Sequence, residues 1–140
     1  MSLKILHIED DYNYSNYIKC LFLRYSKKYS VQIEFTYATS MNQAKRYSSE
    51  NFDLIISDMW LSRKIHWIET FKLLAQMFPP EKLVIVTGIS SMVIKKEVDT
   101  IGFLGIYFKD DVRIDFPEKI INLLKEKKHE KNNINSNDTN

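Results

Sequence analysis

Cysteine is nearly missing from this chain: Cys20 stands alone among 140 residues. No internal disulfide can staple the fold, and a reducing compartment fits. With Ile18, Leu21 and Phe22 as neighbours, Cys20 is expected to be a small core hydrophobe. No apolar run approaches the roughly 20 residues that a membrane helix needs, and Glu9 and Asp10 arrive before a signal-peptide core could form. Charge of one sign is also lacking. A formal net charge of +2 leaves no case for a polyanion-binding surface, so neither nucleic acid nor membrane is expected as a partner. There is no internal repeat. These absences point to a soluble cytoplasmic protein of a length that supports one hydrophobic core.

What is present is alternation. Leu3 to Ile8 is a short run rich in Ile and Leu, followed by Glu9, Asp10 and Asp11. Tyr14, Ile18, Leu21, Phe22 and Tyr25 then fall at helical spacing, so a strand gives way to a helix at the acidic cluster. Val31, Ile33 and Phe35 alternate with polar residues as in a strand. Ser40 and Gln43 have capping-box spacing and open a helix toward Tyr47. Phe52 to Ser57 reads as a buried central strand ending at Asp58. A helix over Trp67 to Met77 stops at Pro79 and Pro80. Leu83 to Val86 is another buried strand, ending at Thr87 and Gly88. Met92 to Ile101 is a helix with Gly102 where a left-handed C-terminal residue is wanted. Phe103 to Phe108 is a fifth strand, ending at Lys109. Asp115 to Leu124 is a last helix, with Asp115 and Glu118 in capping-box positions.

Strand and helix thus alternate five times. That pattern requires an α/β fold, a doubly wound parallel sheet with helices on both faces and right-handed crossovers. The domain spans 1–124. Residues 125–140 are a polar tail with one clear hydrophobe, Ile134, expected to be disordered beyond a short extension of the last helix.

Ligands of such sheets bind at the carboxyl ends of the strands. Here those ends carry Glu9, Asp10 and Asp11, then Asp58, Thr87 and Lys109. Carboxylates gathered this closely oppose folding unless a cation joins them. Oxygen ligands with no histidine or cysteine beside them suit a hard cation, and Mg2+ in company with phosphate oxygens is the natural choice. Thr87 and Lys109 could bind phosphoryl oxygens. A carboxylate can itself be the nucleophile, forming an acyl phosphate, and Asp58 is the candidate because it stands alone after the most buried strand. Asp11 is assigned to the helix N-terminus, where the dipole favours an acid, and His7 to the core.

The ordered segments ILHIEDD, FDLIISD, LVIVTG and YFK resemble the receiver domain of bacterial two-component response regulators, of the single-domain, chemotaxis-regulator-like kind, over residues 3–124. That resemblance implies a flavodoxin-like sheet of order 2-1-3-4-5. It implies that Asp58 accepts a phosphoryl group from a sensor histidine kinase or phosphotransfer protein. Glu9, Asp10, Asp58 and the backbone carbonyl of Trp60 would hold Mg2+, and Thr87 and Lys109 would read the phosphorylated state. The chain would signal to a downstream protein by contact, with no enzymatic activity beyond its own phosphorylation and dephosphorylation; a homodimer is left open. The chain departs from the family pattern at several places: Ser62 and Asp110 replace usual prolines, the usual Gly after the acceptor is missing from a lengthened, bulkier loop RKIHWIET, and Ile106 occupies the usual aromatic position, with Tyr107 on the opposite face. Two alternatives follow, a receiver-like binding module that is never phosphorylated and a magnesium phosphohydrolase of related topology.

Overall fold

The computed structural model describes residues 2–59, 61, 65–89 and 91–138, with side chains through Asn132. Five strands, β1 (Ser2–Ile8), β2 (Gln32–Ala38), β3 (Leu54–Ser57), β4 (Leu83–Thr87) and β5 (Gly105–Phe108), alternate with α1 (Tyr12–Tyr29), α2 (Met41–Lys45), α3 (Trp67–Met77), α4 (Met92–Ile101) and α5 (Phe116–Asp138). The strands are parallel, in the order β2-β1-β3-β4-β5. β1 lies between β2 and β3, so the chain reverses its direction of winding beside β1, which is where such sheets open a crevice.

Side chains along a strand alternate between faces, and the sheet separates two cores accordingly. Leu3, Ile5, Leu54, Ile56, Val84 and Val86 pack with Ile18, Leu21 and Phe22 of α1 and Phe116, Ile120 and Ile121 of α5. Leu6, Ile8, Ile55, Leu83 and Ile85 face the other way, toward Ala44 of α2, Phe71 and Leu74 of α3, and Ile94 and Val98 of α4. Both faces are covered, which is why β3 and β4 read as continuous apolar runs.

Local chemistry sets the ends. Asp11 caps α1, its carboxylate accepting from the backbone N–H groups of Asn13 (3.0 Å) and Tyr14 (3.2 Å). Ser40 caps α2 through the N–H of Gln43, while the Gln43 amide oxygen accepts from Thr39 rather than from Ser40 itself. Gly102 ends α4 at a φ of 91°, a left-handed conformation that glycine adopts without strain. Asp115 pairs with Lys119 at 3.1 Å. No helix among the described residues is long and apolar enough to cross a membrane.

Three expectations need adjustment. Cys20 is exposed: the buried stripe of α1 is Ser15, Ile18, Leu21 and Phe22, and position 20 turns away from it at the helical period. β5 starts at Gly105, because Phe103 completes the α4 turn, its N–H bonding the Val98 carbonyl at 3.1 Å, while Leu104 leads into the sheet with its N–H on the Leu83 carbonyl at 2.8 Å. The last helix runs to Asp138, well past the short extension expected, through a segment rich in Lys and Glu with no Gly or Pro to break it.

Candidate functional site

The parallel ladder places the strand-end residues side by side. Ile8 is paired with Ala38 on one side and Ser57 on the other. The ladder continues one residue further in both directions: the Glu9 N–H reaches the Ala38 carbonyl and the Asp58 N–H reaches the Ile8 carbonyl, each at 3.0 Å. Glu9 and Asp58 are therefore held by main-chain bonds at the end of the two central strands. Both are buried, Glu9 at 1% exposure and Asp58 at 6%. Asp10 is exposed. One carboxylate oxygen from each of Glu9, Asp10 and Asp58 lies within 4.8 Å of the others.

Lys109 follows β5 and reaches across to this group. Its Nζ lies 3.4 Å from both oxygens of Glu9 and 3.4 Å from Oδ2 of Asp58. Burial alone would pull the ammonium down, but the carboxylates of Asp58 and Glu9 outweigh it and raise its pKa. Glu9 is pushed up to about 8, first by burial and then by the neighbouring Asp58 carboxylate, against the opposing pull of Lys109. Two buried carboxylates share one ammonium, so Glu9 retains a proton at neutral pH. A divalent cation could take the place of that proton. The donor set fits such an ion: it is all oxygen, it is convergent, and Glu9 Oε2, ion-paired with Lys109, makes no hydrogen bond among the described residues.

Thr87 ends β4, fully buried, paired with Phe108 across the ladder. Its Oγ1 accepts the Ile89 N–H at 3.2 Å, which leaves the hydroxyl proton available to an acceptor. Ile106 packs into the α2/α3/α4 core, and Tyr107 into the α1/α5 core with its ring edge-on to Phe116 at 5.4 Å. The alternation expected for these two residues is present. Trp67, the first residue of α3, packs on its N-cap His66 (5.4 Å) and on Phe71 (5.3 Å) at the edge of the α2/α3/α4 core. The Trp60 carbonyl and Ser62 lie outside the described residues.

Three tyrosines and His7 belong to the surroundings of the site and were not assigned to it from sequence. His7 shares a 2.8 Å hydrogen bond with the Ser15 hydroxyl. Its ring stands 5.9 Å from Phe35 and 6.4 Å from Tyr14 and Tyr37. Burial, with Lys109 nearby, lowers its pKa to about 3. Tyr14 lies under the Lys109 ammonium, 4.7 Å from Nζ to the ring centroid, in the geometry of a cation–π contact. Tyr17, one turn on, donates to the Val112 carbonyl at 2.7 Å. The only available signal was that Tyr14 and Tyr17 follow the acidic cluster at helical spacing.

No family model and no curated protein matches the chain. Solved structures do. A response regulator receiver domain protein from Methanospirillum hungatei JF-1 superposes with a TM-score of 0.73 at 22% identity, covering 93% of this chain and 99% of the other. A response regulator receiver domain protein from Clostridium thermocellum gives 0.69 at 22% identity, covering 90% and 97%. A response regulator from Burkholderia pseudomallei, whose structure contains a phosphorylated aspartic acid, a calcium ion and citrate, gives 0.63 at 16% identity, covering 92% and 72%. The chain has the fold of response-regulator receiver domains, a five-stranded parallel sheet of order 2-1-3-4-5 wrapped by helices.

Proposed function

We propose that this chain is the phosphoacceptor receiver of a two-component relay, acting in the cytoplasm, with Asp58 as the acceptor. The observation that carries the reading is the meeting of three strand ends: Lys109 Nζ lies 3.4 Å from both the Glu9 and the Asp58 carboxylates, with Asp10 beside them. Glu9, Asp10 and Asp58 would hold Mg2+, completed by the Trp60 carbonyl, and the ion would neutralise charge on the transferring phosphoryl group. The donor is a phosphohistidine of a sensor kinase or phosphotransfer protein. Asp58 forms a P–O bond as the P–N bond breaks, and the electron pair leaves with the imidazole nitrogen. Lys109 is already paired with Asp58 before the reaction and afterwards follows the new phosphoryl oxygens. Thr87 donates its free hydroxyl proton to the same group. The phosphorylated chain, with its receiver over 1–124, then signals to a downstream protein by contact, and it needs no catalysis beyond its own phosphorylation and dephosphorylation.

The test is Mg2+-dependent labelling by a small acyl phosphate such as acetyl phosphate. Wild type should take up one phosphoryl group per chain and Asp58→Asn none; persistent labelling of that variant would refute the assignment. A second reading, a receiver-like module that is never phosphorylated, is favoured by one observation: Tyr107 is wedged into the core against Phe116 and Ile106 leaves no aromatic side chain to turn on the opposite face. Titration with Mg2+ and beryllofluoride separates the two, since the module would show no spectral change.

A further inference from the structure

Lys109 can serve the carboxylates only if its backbone is held, yet its own loop supplies little to hold it. The residues form a single 3-10 turn, Lys109–Asp111. Asp110 and Asp111 are exposed acids, alternative partners for the very ammonium that must stay on Glu9 and Asp58. No proline stiffens the turn. The restraint comes from α1, 95 residues away in sequence. Tyr14 and Tyr17 lie three residues apart and so share one side of that helix; their rings stand 6.0 Å from each other. Tyr17 donates its phenol proton to the carbonyl of Val112, where the turn ends, at 2.7 Å. Tyr14 supports Lys109, where the turn begins, with its ring face 4.7 Å from Nζ. Val112 itself is buried in the α1/α5 core. The start of α1 is fixed in turn to β1 by the bond between His7 and Ser15.

We infer that Tyr17 and Tyr14 are positioning residues that clamp the Lys109 turn to α1 and keep the ammonium on the carboxylates. The consequence for phosphoryl transfer rests on the receiver reading above; the clamp itself does not. Tyr17→Phe removes one O–H donor and leaves the ring. Lys109 methylene protons, assigned by their loss in Lys109→Met, should be shielded by the Tyr14 ring in wild type and should move in Tyr17→Phe toward the shifts of exposed lysines. Labelling by acetyl phosphate should slow between about twofold and about tenfold, the range a single lost hydrogen bond allows, read at saturating Mg2+ so that a change in Mg2+ affinity does not enter. Tyr14→Leu should slow labelling in the same range, and Tyr14→Phe should keep both the wild-type rate and the wild-type lysine shifts, since the Tyr14 hydroxyl has no hydrogen-bond partner among the described residues. If Tyr17→Phe fails to fold, the labelling rates of the Tyr14 pair decide the question. Wild-type lysine shifts in Tyr17→Phe, or equal labelling rates in Tyr14→Leu and Tyr14→Phe, would overturn the clamp. If wild type takes up no label but the shifts still collapse, the clamp stands and only the phosphoacceptor reading fails.

Discussion

Consider His7→Gln compared with wild type across a pH series. In the folded protein burial keeps the His7 imidazole neutral down to about pH 3, whereas its ordinary value is 6.5. A lowered folded value means that the contribution of His7 is fully present above 6.5 and is lost as the pH falls from there toward 3, at about 1.4 kcal/mol per pH unit. Acidification to about pH 5 therefore removes about 2 kcal/mol. Glu9 acts in the opposite sense. Its folded value of about 8 stands above its ordinary 4.5, so its contribution is fully present below 4.5 and declines as the pH rises toward 8, with the same slope. Between 4.5 and 6.5 the two slopes cancel, and these two groups give wild type a plateau. His7→Gln removes one slope and leaves the other, so the variant should gain on wild type by about 2 kcal/mol between pH 6.5 and about 5. Urea midpoints at constant m-value, measured at each pH, report the difference directly. Parallel curves for the two proteins over that interval would refute the assignment of a buried, neutral His7.

Two further predictions concern the frame that carries the site. Phe116 is 1% exposed and makes edge-on ring contacts with Phe22 (6.1 Å) and Tyr107 (5.4 Å), so Phe116→Ala should cost about 3–5 kcal/mol by chemical denaturation; a loss below about 1 kcal/mol would mean that α5 is not part of the core. Gly102→Ala meets no atom within 4 Å but keeps a φ of 91°, so its cost of about 1–2 kcal/mol is purely conformational, whereas Gly88→Ala, in open space without that constraint, should change the midpoint little.

The architecture was legible because each strand carries its own signature. β3 and β4 are almost wholly apolar, as strands covered on both faces must be, and the change of period after Asp11 marks where β1 becomes α1. The meeting of Glu9, Asp58 and Lys109 was legible for a related reason: in a parallel sheet every strand end lies on one edge, so three charged residues terminating three apolar runs must come close. Tyr14 and Tyr17 were not legible in the same way. A tyrosine at helical spacing looks like core, and that it touches a loop 95 residues on depends on how α1 and the β5–α5 connection lie against each other, which no local pattern encodes. Cys20 was misplaced for want of a phase: its neighbours Leu21 and Phe22 are buried, but one residue is 100° of helix. The length of α5 was underestimated because a lack of hydrophobes was weighed above helix propensity. Lys and Glu support a helix without burying anything.

The charge count at the site explains how a buried acidic cluster persists before any cation arrives. Glu9 and Asp58 lie on adjacent strand ends that the ladder fixes, so neither can retreat from the other. Lys109 balances one of the two charges, and the proton that Glu9 retains up to about pH 8 balances the second. A cation bound by these carboxylates would therefore compete with a proton and meet an ammonium already in place, and its binding should strengthen as the pH rises. The same geometry makes the acceptor costly to the fold. Replacing Asp58 by Asn removes the second of the two causes that raise Glu9 and leaves burial, the first, opposed by Lys109 alone. The variant that is expected to lose all labelling is thus expected to lose less stability toward alkaline pH than wild type does, and a loss of label there can be read as chemistry rather than as unfolding.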